Sequence, residues 1–244
     1  MRRRIGLRDY WVGVISTGRP ANVAKMQAQC GPLTWYVKHN ETQNYWDAGA
    51  ANVVKGGGLC ESRNAMLDDG HIVGLPVVQL SDDLTRIKSI TTKNDKGRWQ
   101  AKDIHFDEAV EVVHGAMQYA GAKLGGAAPT SNPFFYNDNK AVQTRHFIVG
   151  DFIVVEPSPE RFDVELKLKE DYDLTCQHLA AYGRVARADM ILPHFAHRTN
   201  AGGAVDFRTP EREQQAIAIL RRKWGTRRVV DNPKRPNEVV LRWC

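Results

Sequence analysis

The sequence predicts an α/β fold in which helices flank a mostly parallel central sheet. Three observations carry that expectation. Short apolar runs of strand length recur through the first half, at 11–16, 33–37 and 72–80, with stretches of helical spacing between them. The third run is apolar at successive positions rather than alternating, the pattern of a strand buried on both faces. It ends abruptly in Ser81-Asp82-Asp83, so two hard oxygen donors stand at the carboxyl edge of the sheet, where open α/β folds bind their ligands.

The elements follow in order. The strand at 11–16 leads into Thr17-Gly18-Arg19-Pro20. Pro20 suits a first helical position, and Val23, Ala24 and Met26 begin an amphipathic stretch that stops at Gly31. A second strand covers 33–37. Residues 52–55 lead into Gly56-Gly57-Gly58, and a helix is predicted over 60–69. After the third strand, 89–102 is polar and reads as a loop or an exposed hairpin. The segment 107–123 has Ala109, Val110, Val113 and Met117 at helical spacing and is expected to close at Gly125-Gly126. The Asn- and aromatic-rich 132–139 is an irregular surface. A second long strand is expected over 146–155, interrupted by Gly150-Asp151, and a half-buried strand over 162–166. Helical character returns at 169–183. A loop is expected over 191–205, and Thr209-Pro210 opens a last helix with Ala216, Ile217 and Leu220 on one face.

Composition bounds the function classes. The 244 residues are 42% hydrophobic, enough for a sizeable core, and no apolar run approaches the ~20 residues of a membrane span. The N-terminus lacks the apolar stretch of a secretory signal. Cys30, Cys60, Cys176 and Cys244 are scattered without CxxC spacing, which argues against a zinc site or a disulfide framework. A cytoplasmic protein without a membrane or a stable protein partner is the expectation. The net charge of +6 suits a polyanionic partner. It clusters at Arg221, Arg222, Lys223, Arg227 and Arg228 around Trp224, followed by Lys234 and Arg235. Basic residues beside an aromatic hold phosphate backbones and stacked bases; cations at a helix end are also simply favourable.

Four runs carry chemistry. Ser81-Asp82-Asp83 either repels itself idly in solvent or holds a divalent cation against a phosphate. Gly56-Gly57-Gly58 precedes a helix containing Ser62-Arg63-Asn64, so free amides and an arginine are available for a diphosphate. Neither a Walker A loop nor GxGxxG is present. Lys169-Glu170-Asp171-Tyr172-Asp173 opens a helix with carboxylates, as helix-dipole electrostatics favour or as a general base requires. In Pro193-His194-Phe195-Ala196-His197-Arg198, either histidine suits a metal ligand through neutral imidazole.

Taken in order over most of the chain, these runs resemble a GT-A glycosyltransferase, a Rossmann-like fold. The resemblance implies that the first strand and its turn, Ser16-Thr17-Gly18-Arg19-Pro20, hold the nucleoside of a donor. It implies that Ser62-Arg63-Asn64 and Ser81-Asp82-Asp83 are the donor helix and the metal-binding strand end, and that Lys169-Glu170-Asp171 is the element carrying the base. A late histidine, His197 or His194, would complete the metal shell. Ser-Thr-Gly-Arg-Pro, Gly-Gly-Leu-Cys-Glu-Ser-Arg-Asn-Ala and Gln-Leu-Ser-Asp-Asp-Leu resemble more narrowly the glycosyltransferases of thymine and hydroxymethylpyrimidine modification (the TET/JBP-associated family), which include phage DNA enzymes. The acidic pair is not a strict Asp-X-Asp, so Asp83 alone could be the ligand with Asp82 on the ribose.

The resemblance implies an inverting, metal-dependent transfer from a nucleotide sugar, a UDP-sugar, to the hydroxymethyl group of a 5-hydroxymethylpyrimidine in double-stranded DNA. Donor contacts would come from Ser16, Thr17, Gly18, Arg19, Arg63, Asn64 and Asp82, and Mn²⁺ or Mg²⁺ ligation from Asp83, Asp82 and His197. Asp171 would be the base with Glu170 beside it, and Arg221, Arg222, Arg227, Arg228, Lys234 and Arg235 the DNA-binding cations. A single domain is expected, with residues 1–90 as the nucleotide-sugar half and 91–244 as the acceptor half. The alternatives are a GT-A enzyme with a protein or polysaccharide acceptor, or one acting on a sugar already on DNA. A sugar nucleotidyltransferase and a non-enzymatic nucleic-acid-binding domain fit the motifs less well.

Overall fold

The computed structural model describes residues 1–196 and 208–243. β1 (Arg2–Ile5) and β2 (Arg8–Ile15) form an antiparallel hairpin whose second strand is buried at Val12, Gly13 and Val14. A 3-10 turn over Pro20–Asn22 starts α1 (Val23–Cys30), and Gly31, at φ 74°, ends it. β3 (Thr34–Val37) is buried at every residue. α2 (Thr42–Asp47), β4 (Asn52–Lys55), α3 (Leu59–His71) and β5 (Val77–Ser81) follow. β6 (Leu84–Lys93) and β7 (Trp99–Asp103) make a long hairpin. α4 (Phe106–Ala120) closes at left-handed Gly121 and leads to β8 (Leu124–Ala127). Then come β9 (Val142–Gln143), β10 (Phe152–Val155), α5 (Glu170–Tyr182), β11 (Ala186–Ala188) and β12 (Ile191–Phe195). α6 (Pro210–Trp224) opens with Thr209 capping Arg212 N, and β13 (Val229–Asp231) and β14 (Val239–Leu241) finish the fold.

Among the described residues, nine strands form one mixed sheet in the order β4-β3-β2-β5-β10-β8-β11-β9, with β1 on the side of β2. β2, β3, β4 and β5 are mutually parallel. β10 runs against both β5 and β8, which restores the original direction in β8 and in its parallel neighbour β11. Six strands therefore run one way, as the sequence predicts. One face is covered by α1 and α4, whose Val23, Met26, Val110, Val113 and Met117 join Val12, Val14, Leu80 and Phe152. The other is covered by α3 and α5 through Met66, Leu67, Leu174 and Leu179. A third cluster packs α6, β13 and β14 under Leu166 and Leu168. No described helix is long and apolar enough to cross a membrane.

Several boundaries differ from the sequence expectation. The third strand starts at Val77, not 72: α3 runs on to His71, leaving Ile72 and Val73 exposed in the turn. Gly125-Gly126 does not cap α4. The pair lies inside β8, where a Cβ at Gly125 would strike Met117 of α4 and one at Gly126 would meet Ile148 at 2.5 Å. Gly125 lets α4 close on the sheet, and Gly126 makes room for Ile148. Of 146–155 only the last four residues are strand. Residues 162–166 are not a strand; they bond to α3 through Asn64 instead of to a neighbouring strand. The start of the expected loop at 191 is β12, which tolerates Pro193 as an edge strand pairing with β6 alone.

Candidate functional site

Parallel strands bring their carboxyl ends to one edge, so Ser16 after β2, Gly56 after β4 and Asp82-Asp83 after β5 are gathered there. Antiparallel β10 begins at the same edge and brings Gly150-Asp151 beside Ser81. Two carboxylate centres meet along this line.

The first centre is built on Asp82, buried at 4% exposure. Its Oδ1 accepts from Arg19 Nη1 at 2.9 Å, and its Oδ2 accepts a very short bond from Ser16 Oγ. Ser16 Oγ also lies 2.6 Å from the Tyr45 hydroxyl, which accepts from Arg19 N at 3.1 Å. Glu41 Oε2 accepts from Gly18 N at 2.7 Å, fixing the turn at left-handed Gly18. Thr17 is half-buried within that turn. Burial holds the Asp82 carboxyl above the usual carboxylate range, against the bonds from Ser16 and Arg19, and it pushes the Tyr45 hydroxyl up to about 12. Asp83 is buried beside it, and its carbonyl accepts from Ala196 N at 2.9 Å.

The second centre is the start of α5. Glu170 is buried, with Oε1 3.2 Å from Nε of equally buried Arg63. Arg63 Nη1 donates to Gln79 Oε1 at 3.2 Å, Gln79 returns a 2.8 Å bond to the Arg63 carbonyl, and the guanidinium lies 5.1 Å from the Phe162 ring centroid. Half-buried Asp171 accepts from Gly150 N at 3.0 Å through Oδ2 and from Tyr172 N at 3.0 Å through Oδ1. Burial, then the negative charge of Glu170, pushes its pKa up to about 7, although the Gly150 amide and Arg63 pull the other way. Lys169, immediately before, is held in the left-handed region at φ 62° while its ammonium pairs with Glu213 of α6 at 2.6 Å.

Asp151 joins the two centres. Ser81 Oγ donates to its Oδ1 at 2.9 Å, Ser81 N donates to its carbonyl at 2.9 Å, and the preceding amide serves Asp171. Gly150 leaves room for both centres: a Cβ there would lie 2.8 Å from Arg63 Nη2 and 3.2 Å from Asp171 Cβ and would crowd them. In the sequence Gly150-Asp151 reads only as an interruption of a strand, and Glu41 and Tyr45 carry no signal, because their partners lie in other elements.

The expected residues divide accordingly. Ser16, Thr17, Gly18, Arg19, Asp82 and Asp83 come together at the first centre, Glu170 and Asp171 at the second. Arg63 stands inside the protein as the partner of Glu170. Both ends of the Asn64 amide serve the Phe162 backbone, at 2.8 Å each. His194 is exposed on β12, with its carbonyl bonded to Thr85; His197 lies outside the described residues. Among the described residues no three His, Cys, Asp or Glu side chains converge as a cage for a metal. Both Asp82 oxygens are engaged, by Arg19 and Ser16, so a divalent cation that takes one or two carboxylates and completes its shell with phosphate oxygens and water would bind here chiefly through Asp83.

The C-terminal cations are largely engaged within the fold. Arg221 pairs with Asp231 at 2.7 Å, Arg222 with Glu165 at 3.1 Å and Arg235 with Glu238 at 3.5 Å. Lys223 pairs with Asp163 and with fully buried Asp173, at 2.7 and 2.8 Å, and the Arg228 guanidinium lies 4.3 Å from the Trp243 ring centroid. Arg227 and Lys234 are exposed.

Comparison with known proteins returns no matching family model, no matching curated protein and no matching solved structure.

Proposed function

We propose that the chain is a metal-dependent GT-A glycosyltransferase that moves a sugar from a nucleotide sugar, a UDP-sugar, to the hydroxymethyl group of a 5-hydroxymethylpyrimidine in DNA. The observation that carries the reading is the joining of Asp82-Asp83 and Glu170-Asp171 at one sheet edge through Ser81, Gly150 and Asp151. A diphosphate-leaving reaction needs a cation-binding edge and a base a short distance apart, and these two centres supply that pair of functions.

Asp83, with Asp82, would hold Mn²⁺ or Mg²⁺ against the donor diphosphate, and the bound ion would supply Lewis-acid stabilisation of the leaving phosphate. Asp82 is itself oriented by Ser16 and Arg19, so the turn that would receive the nucleoside is tied directly to the metal-ligand pair. Asp171 takes the proton of the acceptor hydroxyl as that oxygen attacks the anomeric carbon from the face opposite the diphosphate, giving inversion. A base with a pKa near neutrality balances ionisation at working pH against proton affinity. Arg63 neutralises Glu170 and thereby limits how far the paired carboxylates repel.

The test is direct. Wild-type protein, Mn²⁺, a panel of UDP-sugars and DNA containing 5-hydroxymethylcytosine or 5-hydroxymethyluracil are incubated, and the DNA is digested to nucleosides for mass analysis. A nucleoside heavier by one glycosyl residue is expected with one donor. Absence of any adduct, together with transfer to a protein or glycan acceptor, would move the reading to the alternative GT-A class.

A further inference from the structure

Phe134 and Phe135 are 79% and 68% exposed, adjacent, and set edge to face at 5.3 Å between ring centroids. Their backbone is fixed. Pro133 starts a 3-10 turn and Asn132 Oδ1 accepts from Phe134 N at 3.0 Å. The following Tyr136 packs edge-on against Trp99 of β7 at 5.0 Å, and Lys93 Nζ lies 4.6 Å from the Trp99 ring centroid. Two phenylalanines are thus held out in water on a braced platform.

The surroundings are cationic. From Leu84 to Asp103, Arg86, Lys88, Lys93, Lys96, Arg98 and Lys102 face only Asp95 and Asp103 as carboxylates in that stretch. Lys140 and Arg145 add two positive charges nearby in sequence to the phenylalanines, against Asp138. Lys93, Lys96, Arg98, Lys102, Lys140 and Arg145 are all exposed. The Lys93–Asp138 pair, at 3.8 Å with both side chains about half exposed, is of the weak surface kind that yields to a phosphate. The C-terminal cluster differs in part: Lys223 is paired with fully buried Asp173 and Arg228 lies against Trp243, while Arg222–Glu165 and Arg235–Glu238 are exposed pairs of the same weak kind.

We propose that the β6–β7 hairpin with Phe134 and Phe135 is a docking arm for double-stranded DNA, its cations on the phosphates and its phenylalanines inserted as a wedge at a base step. This deepens the DNA-acceptor reading and rests on it. Cations alone would suit any polyanion, but rigidly presented apolar side chains among them suit bases that can be unstacked. Reach favours a duplex. β6 leaves directly from Asp83 and has ten residues, so it spans at most about 30 Å. At about 3.4 Å per base pair, that length corresponds to roughly nine pairs between the start of β6 at the sheet edge and its tip. Only a stiff duplex, with a persistence length of about 150 base pairs, keeps a fixed register over that distance.

Fluorescence anisotropy with an unmodified duplex of about 20 base pairs tests this without requiring catalysis. Wild type is compared with F134A/F135A and K96A/R98A, all exposed sites whose thermal unfolding midpoint should match wild type. F134A/F135A should bind on the order of tenfold more weakly or worse with an unchanged salt slope. K96A/R98A should flatten the log–log salt dependence by about two. Duplexes of about 8 base pairs should bind weakly to all three. Wild-type-like binding by both variants would overturn the arm while leaving the DNA acceptor standing. Tighter binding of single strands, or equal Phe-dependent competition by poly-glutamate, would overturn the duplex assignment. A wild type that binds no DNA would remove the arm and the DNA acceptor together.

Discussion

Asp171 accepts two backbone amides and lies against Glu170, and burial raises its pKa from the ordinary 3.8 to about 7. The folded protein therefore retains a proton that the unfolded chain releases. The contribution to stability is fully present below about pH 4 and is lost as pH rises through about 7. Asp171→Asn cannot ionise and escapes that loss. Its Tm should gain on wild type by several degrees between pH 5 and pH 8, given about 2–4 °C per kcal/mol at this chain length, while turnover collapses. Wild-type turnover should rise with pH through the same window. A Tm difference that stays flat with pH would remove the ionisable-base assignment. At this scale the sequence carried part of the site: Asp82-Asp83 and Glu170-Asp171 are legible as acidic pairs at element ends. Asp151 is not, since a carboxylate after a glycine within an apolar run has no spacing signature. Arg63 is legible by position, but its partner, Glu170, lies more than a hundred residues away and only the fold brings it near.

The element that positions α5 is α6. Asp173 is fully buried and accepts from Lys223 Nζ, Trp224 Nε1 and Gln177 Nε2, at 2.8, 2.7 and 2.7 Å. Lys169, at the other end of the same contact, pairs with Glu213. These bonds brace α5 two residues to either side of Asp171. Lys223→Ala removes the countercharge of a buried carboxylate, and unfolding in urea should show a loss on the order of 3 kcal/mol, softened by the two remaining donors. A loss below about 0.5 kcal/mol, the range of ordinary surface substitutions, would show that the brace is not electrostatic. The helix itself is legible from Thr209-Pro210 and its apolar face. β12 was not, because Pro193 and His194 interrupt its pattern and the edge position that tolerates them is a tertiary fact. Residues 162–166 alternate like a strand, but no strand lies beside them, and Asn64 takes their backbone bonds instead.

Across the whole molecule, the sheet gathers both carboxylate centres at one edge. Parallel β2 and β5 deliver Ser16 and Asp82-Asp83 to the same line, and the reversal at β10 brings Asp151 back to it. The α/β class and the parallel majority were legible from apolar runs separated by helical ones. The reversal was not, because strand direction leaves no trace in hydropathy. If the edge is a metal–nucleotide site, nucleotide binding and turnover separate by residue. Calorimetric titration of UDP with Mn²⁺ into wild type, Asp83→Ala and Asp171→Asn tests this most directly. The account predicts Mn²⁺-dependent binding by wild type and Asp171→Asn, stabilising each by about 2.7 kcal/mol at a hundredfold excess over Kd, and its loss in a folded Asp83→Ala protein. Undiminished Mn²⁺-dependent binding by Asp83→Ala, or no binding by wild type, would contradict it.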